Sequence, residues 1–381
     1  MLDPVDDIDG QRIPSLGRRG FLKSATLATA GPVLLGSPTP ARANGSRGAV
    51  ARLLAVPGSR RDEDWIRSAL QIAVELELAT LPPYLCAWWS IKDRDSEPAT
   101  LIRGIISDEM FHMGVACNLL VAVGGTPRIA DAVQSYPGPL PGGVRSDLTV
   151  RLSGLTKEYV RDVLMGIETP EAPLARASGP ATIGAFYAAL LNAFDDVRPD
   201  LSTDRQLERR IGPDHLTPVE TLSDVEDSIE TIREQGEGTS ASPDAPFADG
   251  APAHYYAFGE IYHERRLRQV DGVWEFSGEP VPFPDTRPMG VVPAGGWPSP
   301  ADEVQQLLQQ FDETFTSVLS DLQAAWANGD ASALDDAVRD MFALEDPAVR
   351  LMEIPLPDGS GTYGPQFRPS PTTEAGARAR R

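Results

Sequence analysis

The chain has 381 residues, 41% of them hydrophobic and 23% charged, with a formal net charge of -21. That length can bury one large core or two modest ones, and the composition excludes wholesale disorder and collagen-like repeats. The acidic balance argues against a nucleic-acid or anionic-membrane partner, since both need a basic surface.

Residues 1–43 have the layout of a twin-arginine export signal. Arg18 and Arg19 are adjacent, Phe21, Leu22 and Lys23 follow, and a mildly apolar stretch leads to small residues at Ala41 and Ala43. Such a signal engages the twin-arginine export machinery, which moves folded proteins to the periplasm or beyond. Past it, no apolar run reads as long enough to span a bilayer, so no membrane span is expected in the mature chain. Residues 44–60 read as a linker, 61–367 as one helical domain, and 368–381 as a disordered tail.

A first helix begins at Asp62, with Leu70, Val74, Glu77, Leu81, Tyr84 and Trp88 recurring along one face. Pro82 and Pro83 lie inside it, remove two amide donors and should bend it. A second helix spans about Pro98 to Val123 and stops at Gly124-Gly125, with Pro127 beyond. Cys86 and Cys117 sit in these two helices among apolar neighbours and are expected as buried thiols. A mixed connection follows over residues 126–216, with short helices in "LTKEYVRDVLMGIE" and "TIGAFYAALLNAFDDV". The third helix is expected from Thr217-Pro218 to about Gly238. The fourth starts near Ala253 and its stripe of Tyr256, Glu260, His263, Leu267 and Val270 carries it to about Val270. Residues 271–300 read as irregular, with a short hairpin around "DGVWEFSG". A fifth helix over Val304–Trp326 and a shorter one around Leu334–Leu344 complete the chain. The expected fold class is all-α: a four-helix bundle with a long crossover between its second and third helices and extra C-terminal helices.

The chemistry lies on the buried faces. In the second helix Leu101, Ile105, Glu109, His112, Ala116, Leu119 and Val123 share a stripe, so an acid and an imidazole three residues apart point into the core. Glu260 and His263 repeat that spacing on the fourth helix, and Glu77 occupies the stripe of the first. Two of the four histidines thus have a glutamate three residues before them. Buried carboxylates without partners either take up protons or meet cations. Glutamates from two helices with Glu-x-x-His from two others is the pattern of carboxylate-bridged dinuclear metal sites in ferritin-like bundles. Carboxylate and imidazole donors suit two iron ions, or manganese. The competing reading gives the acids arginine or lysine partners and makes the histidines ordinary core residues. His215 and His254 lack the spacing; His215 reads as loop-exposed, and His254 as capping or lining the start of the fourth helix, in a role supporting the ligands rather than as one of them. Glu75 points to the opposite side from Glu77 and reads as a supporting acid. On the third helix, periodicity leaves Glu226 and Glu237 both open, while Glu234 points away.

"LQIAVELELATLPPYL", "DEMFHMGVACNLLVAVGGTP", "IREQGEG" and "HYYAFGEIYHERRL" together resemble the ferritin-like domain of the iminophenyl-pyruvate dimer synthase family. "TIGAFYAALLNA" and "LMEIPLPDGSGTYGPQF" extend the resemblance over most of residues 65–367. It implies a ferritin-like bundle with a non-haem metal site, and the shared "QGEG" implies Glu237 as the third-helix ligand. The resulting ligand set is Glu77, Glu109, His112, Glu237, Glu260 and His263, with no catalytic side chain assigned. The expected activity is that of a dinuclear-iron oxidase or oxygenase using dioxygen on a small-molecule substrate, similar to the family's imine-coupling enzymes. Iron detoxification and a metal-free scaffold are the alternatives.

Overall fold

The computed structural model describes residues 48–170, 183–237 and 252–370. Residues 1–43, read from sequence as an export signal, and most of the expected tail, residues 371–381, lie outside the described residues.

Within the segment read as a linker, Ala49–Leu54 form a short helix (α1) whose Val50 is fully buried. The long helix α2, Glu63–Ser90, starts where Asp62 accepts a hydrogen bond from the Trp65 amide at 2.9 Å. Nearly every side chain from Ala69 to Ala87 is buried, as expected of a helix that is apolar all round. It continues through Pro82 and Pro83. Pro83 lacks the amide that would bond the Ala79 carbonyl, and the Tyr136 hydroxyl donates to that carbonyl instead, at 2.8 Å. A side chain from the crossover therefore stands in for a missing helix bond.

Helix α3, Glu97–Ala122, packs along α2 and ends at Gly124 with φ 76°. It is long and apolar enough to cross a membrane by length and composition, contrary to the expectation from sequence. However, 83% of its most apolar window is buried inside the protein, so it serves as a core helix. Its fully buried Asn118 donates to the carbonyls of Leu207 and Thr217 and accepts from the Leu207 amide and the Trp326 indole. One side chain thereby ties α3 to the crossover and to a C-terminal helix.

The crossover carries α4 (Lys157–Tyr159), a π-helical turn at Val160–Leu164, and α5 (Met165–Glu168). Helix α6 spans Ile183–Val197, and a small antiparallel hairpin, β1 (Arg209–Ile211) with β2 (Asp214–Leu216), was not foreseen. Helix α7, Leu222–Glu237, begins four residues after Pro218. The Thr221 hydroxyl accepts from the Asp224 amide, and the Asp224 carboxylate accepts from the Glu220 and Thr221 amides.

The fourth bundle helix departs most from its sequence pattern. Helix α8 covers only His254–His263, and Glu264 adopts a left-handed conformation (φ 56°). Arg265–Val270 then form strand β3, paired with β4 (Val273–Pro280) across Asp271-Gly272. Both turn residues have positive φ, the geometry that suits Asp-Gly in a two-residue hairpin. The hairpin thus begins inside the segment expected to be helical.

Helices α9 (Asp302–Asn328), α10 (Ala331–Ala343) and α11 (Glu345–Leu351) pack together, and α11 reaches α2. Arg368 and Ser370, placed in the tail by sequence, are held by their amides: Arg368 to Asp312 at 3.1 Å and Ser370 to Thr316 at 2.9 Å. The bundle proper is α2, α3, α7 and α8, with α6 against α2 and α7.

Tyr136→Phe removes the donor that serves the Ala79 carbonyl. The expected cost is about 1–3 kcal/mol in chemical denaturation; an unchanged midpoint would show that the carbonyl does not depend on that hydroxyl.

Candidate metal centre

Glu77 on α2 and Glu109 and His112 on α3 meet between the two longest bundle helices, as their stripes require. His112 Nδ1 lies 3.7 Å from Glu77 Oε2 and 3.8 Å from Glu109 Oε1. A second group shares Glu109 and adds Glu168 and His254. His254 Nδ1 is 2.8 Å from Glu109 Oε1 and 3.7 Å from Glu168 Oε1. Within each group of three, the ligand atoms lie within 4.8 Å of one another, and all five residues are buried. Among the described residues, the only ion-pair partners of Glu77, Glu109 and Glu168 are the two histidines.

Glu168 closes α5 directly after the π-helical turn. A π turn holds an extra residue and rotates everything after it, a feature that recurs at functional sites. His254 opens α8, on the same face as the buried Ala257, Phe258 and Ile261.

Both imidazoles are oriented alike. His112 Nε2 meets the Gln235 side-chain carbonyl, and Gln235 is itself held by Asp214 at 3.3 Å. His254 Nε2 meets Asp108 at 3.3 Å. With Nε2 donating outward, each Nδ1 presents a lone pair to the cluster, the arrangement by which outer partners fix a metal-binding histidine. His254 Nδ1 is buried and makes no aligned hydrogen bond despite its 2.8 Å approach to Glu109. Two acceptors brought this close without an aligned proton fit a shared cation. The donor set of three carboxylates and two imidazoles matches iron or manganese.

Hydroxyl groups steady the carboxylates. Tyr187 on α6 bonds Glu77, Tyr84 bonds Glu168, and Thr80 lies 2.7 Å from Glu109 Oε2. Burial, with the neighbouring carboxylates, pushes both tyrosines well above their ordinary range, so they stay protonated donors. Burial likewise raises the Glu109 carboxyl to about 7, aided by Glu168 and Glu77 and opposed by His254. Burial pulls the imidazoles down, but carboxylates outweigh it: Glu77 and Glu109 raise His112, and Asp108, Glu109 and Glu168 raise His254. Without a cation the cluster balances its charge with protons, which a metal displaces. Beside it lies a cavity of about 40 Å³ bounded by Leu76, Leu140, Ile167, Ile183 and Ile232.

Two of the remaining expected ligands, Glu260 and His263, do not reach the cluster. Glu260 is buried, but its carboxylate accepts from Arg266 at 2.7 Å and from the Leu267 amide at 2.8 Å. Arg266 also pairs with Glu97. Glu260 therefore fastens β3 to α8, and Arg266 carries the link on to α3. His263 is exposed at the end of α8 and stacks on Phe276, ring centroids 4.4 Å apart. Because the helix stops there, the Glu-x-x-His spacing no longer implies one buried face. Glu226 is exposed, and the Glu237 side chain lies outside what the structure describes. His215 is exposed on β2, near Glu208.

The model of the family described as Ferritin-like matches residues 70–263, which include all five cluster residues. The chain belongs to the ferritin-like family. A ferritin-like protein from Caulobacter vibrioides, solved at 1.95 Å resolution, is 22% identical; the match covers 80% of this chain and 97% of that one, with a TM-score of 0.57. At that identity the likeness speaks to the fold. No curated protein matches the chain.

Two outcomes are expected. Glu168→Gln and His254→Ala should lower bound manganese or iron measured by elemental analysis, whereas Glu260→Gln and His263→Ala should leave it unchanged; the reverse pattern would restore the ligands read from sequence. Stability should also depend on pH. Glu109 rises from an ordinary 4.5 to about 7 and both imidazoles from 6.5, so the metal-free fold binds more protons than the unfolded chain. Their contribution is complete below the unfolded values and is lost as pH rises through the folded ones. The Tm of chelated protein, compared with Glu109→Gln, should fall between about pH 5 and pH 8, while the Tm gain on adding manganese(II) grows over the same range.

Proposed function

We propose that this chain is a dinuclear-metal oxidoreductase acting on a small organic substrate. One ion is held by Glu77, Glu109 and His112, and the other by Glu109, Glu168 and His254, with Glu109 shared. The convergence of two outward-anchored imidazoles on one carboxylate supports this reading. Bound there in reduced form, iron or manganese would supply the electrons for dioxygen chemistry. The chain contributes three further things. Tyr84, Tyr187 and Thr80 hold carboxylate oxygens in place, Gln235 and Asp108 fix the imidazole tautomers, and the apolar cavity walls exclude water from the ligand atoms.

The resemblance to imine-coupling dimer synthases suggests oxidation of an organic molecule rather than iron storage. The twin-arginine layout of residues 1–43 supports export of the folded, metal-loaded protein to the periplasm or beyond.

Elemental analysis of protein isolated from its native compartment tests the centre. Two iron or manganese ions per chain are expected, with loss of both in a Glu109→Ala variant, since that side chain serves both groups. Oxygen uptake that requires an organic reductant supports the oxidoreductase. Uptake with ferrous iron alone, ending in a mineral, would make the protein an iron-detoxifying one, and no bound metal would leave a scaffold.

A further inference from the structure

Arg233 lies on α7, two residues before Gln235, and lines the cavity beside Glu77, Glu109, His112 and Glu168. Its Nε is shielded from solvent and has no hydrogen-bond partner, and among the described residues no carboxylate pairs with its guanidinium. The nearby acids face the two histidines instead. An arginine stays charged under all physiological conditions, and a buried guanidinium donor without an acceptor is costly to keep. Gly236, one turn on, also lines the cavity, and its α-carbon faces Glu168, whose Oε2 a Cβ there would meet in ordinary contact at 3.5 Å. Most of the remaining wall is aliphatic, from Leu76, Leu140, Ile167, Ile183 and Ile232, with Thr80 and Tyr187 completing it.

We infer that Arg233 anchors the carboxylate of a small aliphatic acid, holding its carbon chain against Leu76, Ile167 and Ile183 beside the cluster. A planar guanidinium matches a carboxylate through two parallel hydrogen bonds, which gives orientation as well as charge recognition. The cavity, about 40 Å³, admits roughly a carboxylate and a short chain, not a fused aromatic ring. The inference rests on reading the cavity as the substrate pocket of the metal centre.

Propionate and its neutral isostere propionamide are the probes, titrated into the full chain, both chelated and manganese-loaded, and followed by ligand-observed NMR and, in the chelated protein, by its arginine Nε–H resonances. Wild type should bind propionate, discriminate against propionamide, and show one arginine Nε–H resonance shifting on addition. Arg233→Gln should weaken propionate at least roughly tenfold with manganese content unchanged. Unchanged binding in a folded Arg233→Gln protein, binding lost on chelation alone, equal binding of the amide, or no binding would each overturn the inference. Should the variant fail to fold, the arginine resonance in wild type decides. Arg233-dependent binding in a protein that takes up no metal would overturn the metal centre and spare this assignment; bound metal without such binding does the reverse.

Discussion

Three carboxylates and two imidazoles share an interior with no lysine or arginine paired to those acids among the described residues, and that charge problem governs the bundle around them. In a medium of low effective dielectric, like charges this close cannot all persist. Protons offer one solution and divalent cations another. The shared Glu109 means both solutions act on the whole cluster at once, because any change at one group alters a ligand of the other.

Much of the surrounding architecture keeps these donors in place. α2 and α3 run side by side and carry three of them on facing stripes. Tyr136 stands in for the helix bond lost at Pro83 by donating to the Ala79 carbonyl, two residues beyond Glu77 and next to Thr80, which touches Glu109. The β1–β2 hairpin supplies Asp214, which holds Gln235, which orients His112. Asn118 then fixes that hairpin region to α3 and α9. The crossover, far from being a passive connection, reaches the cluster from two sides: Glu168 as a donor and Tyr187 as a hydrogen-bond partner of Glu77.

The bundle and one half of the centre were legible in the sequence because long, regular helices obey their period. Glu77, Glu109 and His112 interrupt otherwise apolar stripes, and the structure gathers those three. The other half was hidden for two different reasons. At Glu168 a π-helical turn breaks the count, so no periodic reading carries a face across it. At α8 the stripe from Tyr256 to Val270 mixes a helix with a strand, and the spacing of Glu260 and His263 imitated a ligand pair. A signal for His254 existed: it stands three, four and seven residues before Ala257, Phe258 and Ile261, which are all buried. The Glu264–Arg265 boundary, where Asp271-Gly272 draws the chain into a hairpin, was the missing clue.

The two ends of the cluster are mounted on supports of very different length. Glu77, Glu109 and His112 project from helices of 28 and 26 residues clamped along their length, while Glu168 ends the shorter helical stretch 157–168 and His254 opens a helix of ten. A ligand at the tip of a short element adjusts its position with less disturbance to the core than one in the middle of a long, buried rod. Ionic radius changes whenever an ion gains or loses an electron. Any such breathing would be absorbed on the Glu168–His254 side, leaving the α2–α3 side as the fixed reference.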